Sequence, residues 1–142
     1  MIVAISLFES TSFKAQCDLS ADELEKISLM DTSQFRNYAL QHGMEFYQKT
    51  KDNIMYVCSK RMEISCEISF KKDKVFHYEF PDMKWADTIE SQLKAKGYKM
   101  MKKGYEMSRG VGNYNTIYES KTLEFTITAN DGATYDIYIK KK

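Results

Sequence analysis

Two stretches of strict alternation govern what this chain can fold into. Met62, Ile64, Cys66, Ile68 and Phe70 alternate with Glu63, Ser65, Glu67 and Ser69, and Leu123, Phe125, Ile127 and Ala129 alternate with Glu124, Thr126 and Thr128. A period of two marks a strand with one buried face and one wet face. Each stretch runs into a turn, Lys72-Asp73-Lys74 or Asn130-Asp131-Gly132, and then into a second run with apolar residues at alternate positions. Strands that pair must set their apolar residues on the same side. A three-residue loop in each case predicts that Phe70 faces Phe76 and Ile68 faces Tyr78. The same rule sets Ala129 against Ala133, Ile127 against Tyr135 and Phe125 against Ile137, with Gly132 free to take the αL conformation. The central aspartates, Asp73 and Asp131, are 58 residues apart.

Upstream of each hairpin the period becomes helical. Ser20-Ala21-Asp22-Glu23 reads as a cap and an acidic first turn, with Leu24, Ile27 and Leu29 or Met30 on one face. A second helix starts at Asp31 or Thr32, and Phe35, Tyr38, Ala39 and His42 recur at helical spacing until Gly43. In the second half Trp85, Ile89 and Leu93 lead to Gly97 in the same way, and Phe35 and Ile89 each stand eight residues before their glycine. The remaining strands are expected at 44–50 and 54–59, and at 98–106 and 114–119. The second unit is a few residues longer between Lys103 and Gly112. The fold class predicted is α+β: two tandem α-β4 units, about 20–82 and 83–142, with helices packed on one face of an antiparallel sheet in a two-layer sandwich. The other face, with Glu63, Ser65, Glu67, Ser69, His77, Glu79, Glu124, Thr126 and Thr128, is expected to meet solvent.

At 142 residues, 43% of them hydrophobic, the chain suits one domain spanning 17–142. Twenty-one basic against twenty acidic residues leave a charge of +1, which provides no positive field for a nucleic acid. No apolar run reaches the roughly 18 residues a membrane-spanning helix needs. Residues 1–16 read either as the remnant of a secretory signal or as a first strand, since Glu9 interrupts the apolar segment and no basic residue precedes it. Lys14 and Gln16 occupy the positions where a lipoprotein signal before Cys17 wants an aliphatic and a small residue. Cys17, Cys58 and Cys66 have no metal-ligand spacing. Cys58 and Cys66 sit in apolar strand patterns, where a cysteine serves as a small hydrophobe, although neighbouring strands would also let them bridge in an exported protein.

Signatures of known enzyme classes are absent, so no catalytic residue, metal or cofactor is expected. His42 and Glu45 straddle a helix terminus, where the histidine has a structural use against the last carbonyls. His77 is predicted opposite Ser69, with Glu67 opposite Glu79. Facing carboxylates repel by roughly 0.2–1 kcal/mol, which a cation or a basic partner would relieve. The segment 107–115 lacks a phosphate-binding pattern but combines Arg109, glycines and Tyr114, residue types enriched in recognition loops. The lysines at 94, 96, 99, 102, 103 and 140–142 suit an exposed helix end and an edge strand, where they deter association of sheet edges.

The stretch Asp31 to Tyr47, D-x-x-x-F-x-x-Y-x-x-x-x-G-x-x-F-Y, and its echo from Trp85 to Tyr98 resemble small bacterial secreted proteins. Over about residues 20–140 the plan of two helix-plus-four-strand units also resembles the β-lactamase-inhibitor-protein-like fold, although the paired disulfides of the inhibitor proper are missing. The resemblance implies a protein-binding or envelope-associated role and assigns no functional residue. The function expected is a non-enzymatic protein- or peptide-binding module, periplasmic or secreted, monomeric or weakly dimeric, with Arg109, Tyr114, His77, Glu67 and Glu79 as binding residues. Two alternatives are a small metal-dependent hydrolase using His77, Glu67 and Glu79, and a cytoplasmic toxin-neutralising protein.

Overall fold

Ser20 opens the first helix by a reciprocal exchange. Its hydroxyl accepts from the Glu23 N–H at 3.3 Å while the Glu23 carboxylate accepts from the Ser20 N–H at 2.8 Å. A computed structural model describes residues 19–60, 63–71, 75–80, 83–108, 111–130 and 135–142. Residues 1–16, Cys17, the turns at 72–74 and 131–134, and Arg109 lie outside them. The helix that Ser20 caps is α1 (Ala21–Ser28). Asp31 and Gln34 repeat the exchange to start α2 (Thr32–Gln41), and α3 covers Met83–Ala95. Gly43 at φ 69° and Gly97 at φ 85° end α2 and α3 in the left-handed region. In both places the next residue reaches back five positions: Met44 N–H donates to the Ala39 carbonyl at 2.9 Å and Tyr98 N–H to the Leu93 carbonyl at 3.0 Å. At the first of these ends the His42 Nδ1 lies 2.8 Å from the Tyr38 carbonyl, the structural use expected of it.

The strands are β1 (Glu45–Lys49), β2 (Asn53–Lys60), β3 (Glu63–Lys71), β4 (Phe76–Phe80), β5 (Lys99–Ser108), β6 (Val111–Glu119), β7 (Leu123–Asn130) and β8 (Tyr135–Lys141). Among the described residues, three helices with antiparallel strands make a mixed α+β protein. All eight strands join in one sheet ordered β1-β2-β3-β4-β8-β7-β6-β5. Each half is a four-strand meander, and the two meet at their last strands through Phe76↔Ile139, Tyr78↔Ile137 and Phe80↔Tyr135. Among the described residues this leaves β1 and β5 as the edges.

One side of the sheet faces the helices. Phe35 from α2 is wholly buried, its ring 5.4 Å from Phe70, 5.7 Å from Tyr56 and 5.8 Å from Phe76. Ile89 and Leu93 from α3 share the same core with Tyr118, Phe125, Ile137 and Ile139. Burying one such side chain stabilises by roughly 1.5–3 kcal/mol. Helix α1 reaches across the two halves. Its Ala21 N–H donates to Gln92 Oε1 at 2.8 Å, its Glu25 accepts from the Tyr98 hydroxyl at 2.6 Å, and its Asp22 and Glu25 pair with Lys96.

Two expectations about the second half are corrected. Strand β7 pairs with β8 through Ala129↔Tyr135, Ile127↔Ile137 and Phe125↔Ile139, two residues away from the predicted partners. A slip of two keeps every side chain on its face, so alternation alone cannot detect it. The outcome makes the halves more alike, because Ala129↔Tyr135 spans the same six positions as Phe70↔Phe76. Within the segment 107–115, residues 107–108 and 111–115 are also strand and not loop. Strand β5 continues to Ser108 and β6 begins at Val111, and the two stay paired through Met107↔Gly112 and Ser108↔Val111. The extra residues lengthen a hairpin, because backbone groups paired across two strands are satisfied in a way that an open loop would not match.

Candidate functional site

On the side of the sheet away from the helices, the predicted oppositions hold at the level of backbone register: Ser69↔His77 and Glu67↔Glu79. The β4–β8 junction extends them. Glu79 also faces Asp136, Asp136 faces Thr128, and Thr128 faces Asn115. Three acidic residues on three adjacent strands, Glu67, Glu79 and Asp136, therefore occupy one row across the sheet. Sequence reasoning missed Asp136 because no local pattern says that the final strand joins β4.

This face is less wet than expected. Ser69 and Thr128 are buried and Asp136 is only 7% exposed. These are short side chains in interior strands, flanked by neighbours on both sides. They are held by polar partners: Asn130 Nδ2 donates to Asp136 Oδ2, and Thr128 Oγ1 to Asn115 Oδ1, each at 2.8 Å. Among the described residues no group of three or more His, Cys, Asp or Glu side chains is arranged to hold a metal ion.

Tyr114 belongs to a different surface. It lies on β6 in step with Thr116 and Tyr118 and opposite Ala129 of β7. Tyr118 turns toward the helices and donates its hydroxyl to Glu90 of α3 at 2.6 Å, so Tyr114 is on the helix side, near the outer end of the strand. The five sequence-derived candidates therefore do not converge. Glu67, His77 and Glu79 stand on β3 and β4 on one face, and Tyr114 stands on the other face beyond β8 and β7. Arg109 lies outside the described residues.

What accompanies Tyr114 was not foreseen. Tyr105 is its direct cross-strand partner, and the two rings are 59% and 42% exposed. Gly112 lies diagonal to Tyr105, whose ring crosses it so closely that a Cβ on the glycine would collide with the phenol. Lys103, one step further along β5, holds its ammonium 5.8 Å from the Tyr114 ring centroid. The signal in the sequence was the pair of tyrosines flanking Gly112, legible only with the hairpin register in hand.

A cleft of about 360 Å³ opens where α2 begins beside the β1–β2 turn, with Asp31, Lys49, Lys51 and Asp52 around an apolar floor of Ile54 and Phe70. Its charges are mixed, and the N-terminus of α2 is already occupied by its own capping exchange.

Burial raises the pKa of the Tyr38 phenol to about 12, with Glu23 adding to the effect. Burial and the hydrogen bond to Glu25 raise that of Tyr98 to about 12. Tyr118 is raised further by burial and by Glu90. All three are buried in the core. Among the described residues no helix is long and apolar enough to cross a membrane. No family model matches the chain, and comparison with curated proteins and with solved structures brings no match.

Proposed function

We propose that this protein is a non-enzymatic module that binds a protein or peptide at the cell envelope or exterior, and that the β5–β6 hairpin is its contact surface. The Tyr105–Tyr114 pair is the observation that carries this reading. Two large rings stand exposed side by side on paired strands, where a bound chain would remove their apolar area from water while the hydroxyls kept polar partners. Gly112 gives the Tyr105 ring a flat seat, so little side-chain freedom is lost on binding. Lys103 adds a positive charge beside Tyr114 that suits an acidic or carboxylate-bearing partner. The same reading takes the halves as tandem α-β4 units with the helices as one layer of a two-layer sandwich. The matched glycine stops and hairpin spans support it.

A random peptide library displayed against the wild-type protein tests the proposal. Peptides it selects are expected to bind at least about tenfold more weakly, by calorimetry, to Tyr105→Ser/Tyr114→Ser, and more weakly to Gly112→Ala, in which the ring must leave its seat. Equal affinities for all three proteins would reject the hairpin as the contact surface. Mass spectrometry of the native N-terminus tests export.

The acidic row of Glu67, Glu79 and Asp136 favours a second reading, a cytoplasmic toxin-neutralising protein that receives a basic segment on the open face. Binding that fails in Glu67→Gln/Glu79→Gln but survives the tyrosine substitutions would select it.

A further inference from the structure

We propose that Cys58 and Cys66 form a disulfide between β2 and β3, made by exchange with an oxidised glutathione-type disulfide. The two residues are direct partners in the β2–β3 register. Opposed residues in an antiparallel pair have Cα atoms about 4.5 Å or about 5.5 Å apart, depending on the ladder position, and both values fall within the span a disulfide bridges. Opposed residues also project from the same side of the sheet. Here that is the helix side, because Cys58 is in step with Ile54 and Tyr56, and Cys66 with Ile68 and Phe70, in the buried core. The register shifts between Cys58 and Ser59, and the irregularity gives the backbone next to the pair room to adjust its Cβ directions.

The reaction balances as two successive exchanges. The thiolate of one cysteine attacks the oxidant's S–S bond, forming a mixed disulfide and releasing one thiol. The thiolate of the other then attacks the first cysteine's sulfur and releases the second thiol. One S–S bond breaks and one forms, and two electrons and two protons pass from the cysteines to the oxidant. In the folded protein Cys58 and Cys66 are 0% and 3% exposed. Exchange therefore takes place before α2 covers the hairpin, or during a local opening. The inference stands apart from the binding surface proposed above, which lies at the other end of the sheet.

The test is refolding of the full chain from denaturant in a glutathione buffer containing the oxidised form, followed by alkylation and trypsin digestion. Cleavage after Lys60 and Arg61 puts Cys58 in peptide 52–60 and Cys66 in peptide 62–71. The expected product is these two peptides joined, both in the wild type and in Cys17→Ser, which removes the competing thiol. The oxidised protein is expected to melt on the order of 5–10 °C above the reduced one. Recovery of both peptides fully alkylated, or linked to Cys17 or to a second molecule, would overturn the proposal.

Discussion

Tyr38 and Tyr98 show how a core residue that carries a hydroxyl ties stability to pH. In each, the folded-state pKa of about 12 stands above the ordinary value of 10.0, so folding favours the neutral phenol. That contribution is whole below pH 10 and is lost as pH rises through about 12. Urea midpoints are therefore expected to fall between pH 10 and 12, and Tyr38→Phe is expected to flatten the fall. Two glycines separate backbone need from side-chain space. Nothing lies within 4 Å of a Cβ built on Gly97, but its φ is +85°, so Gly97→Ala is expected to cost about 1–2 kcal/mol in urea unfolding through conformation alone. Gly112→Ala meets only an exposed tyrosine that can swing aside, so its melting temperature should change little while binding weakens. The need for Gly97 was legible in the sequence, because a glycine after a helical period implies a left-handed stop. The role of Gly112 was not, because it depends on a ring seven residues earlier that reaches it only once the hairpin has paired.

At the scale of elements, starts and stops were the most readable part of the chain. The Ser20 cap forms as the Ser-x-x-Glu pattern implies, and Ser20→Ala is expected to cost about 1 kcal/mol, measured by thermal or urea unfolding. The β3–β4 register matched the prediction pair for pair because the turn was centred correctly, on residue 73. The β7–β8 register did not, because moving the centre of the assumed turn by one residue, from 131 to 132, moves every partner by two while preserving the pattern of faces. The β5–β6 hairpin was misread for a related reason. Glycines and polar residues between Ser108 and Asn115 look like loop chemistry, but Gly112 and Asn113 are paired strand residues opposite Met107 and Glu106. Phe35 of α2 is buried against three aromatic neighbours. Phe35→Ala is expected to cost about 3–5 kcal/mol, read as a loss of urea midpoint.

For the whole molecule, the junction of β4 with β8 was the feature least legible in advance. Both strands alternate toward the same core, and nothing local to either one names its second neighbour. The pairing makes the halves interdependent, and α1 reinforces it by reaching Gln92 and Tyr98 of the second half. Residues 19–82 expressed alone are expected to be insoluble, since β4 would expose a row of unpaired backbone groups. Co-expression with residues 83–142 should restore a soluble pair, detected by co-purification. The same junction sets a clock on synthesis. About 55 residues separate the end of β4 from the start of β8, and at 5–20 residues per second the ribosome needs about 3–11 s to deliver the strand that β4 awaits. During that interval the first meander is a finished pattern without its neighbour, and the centre of the sheet is the last part to close.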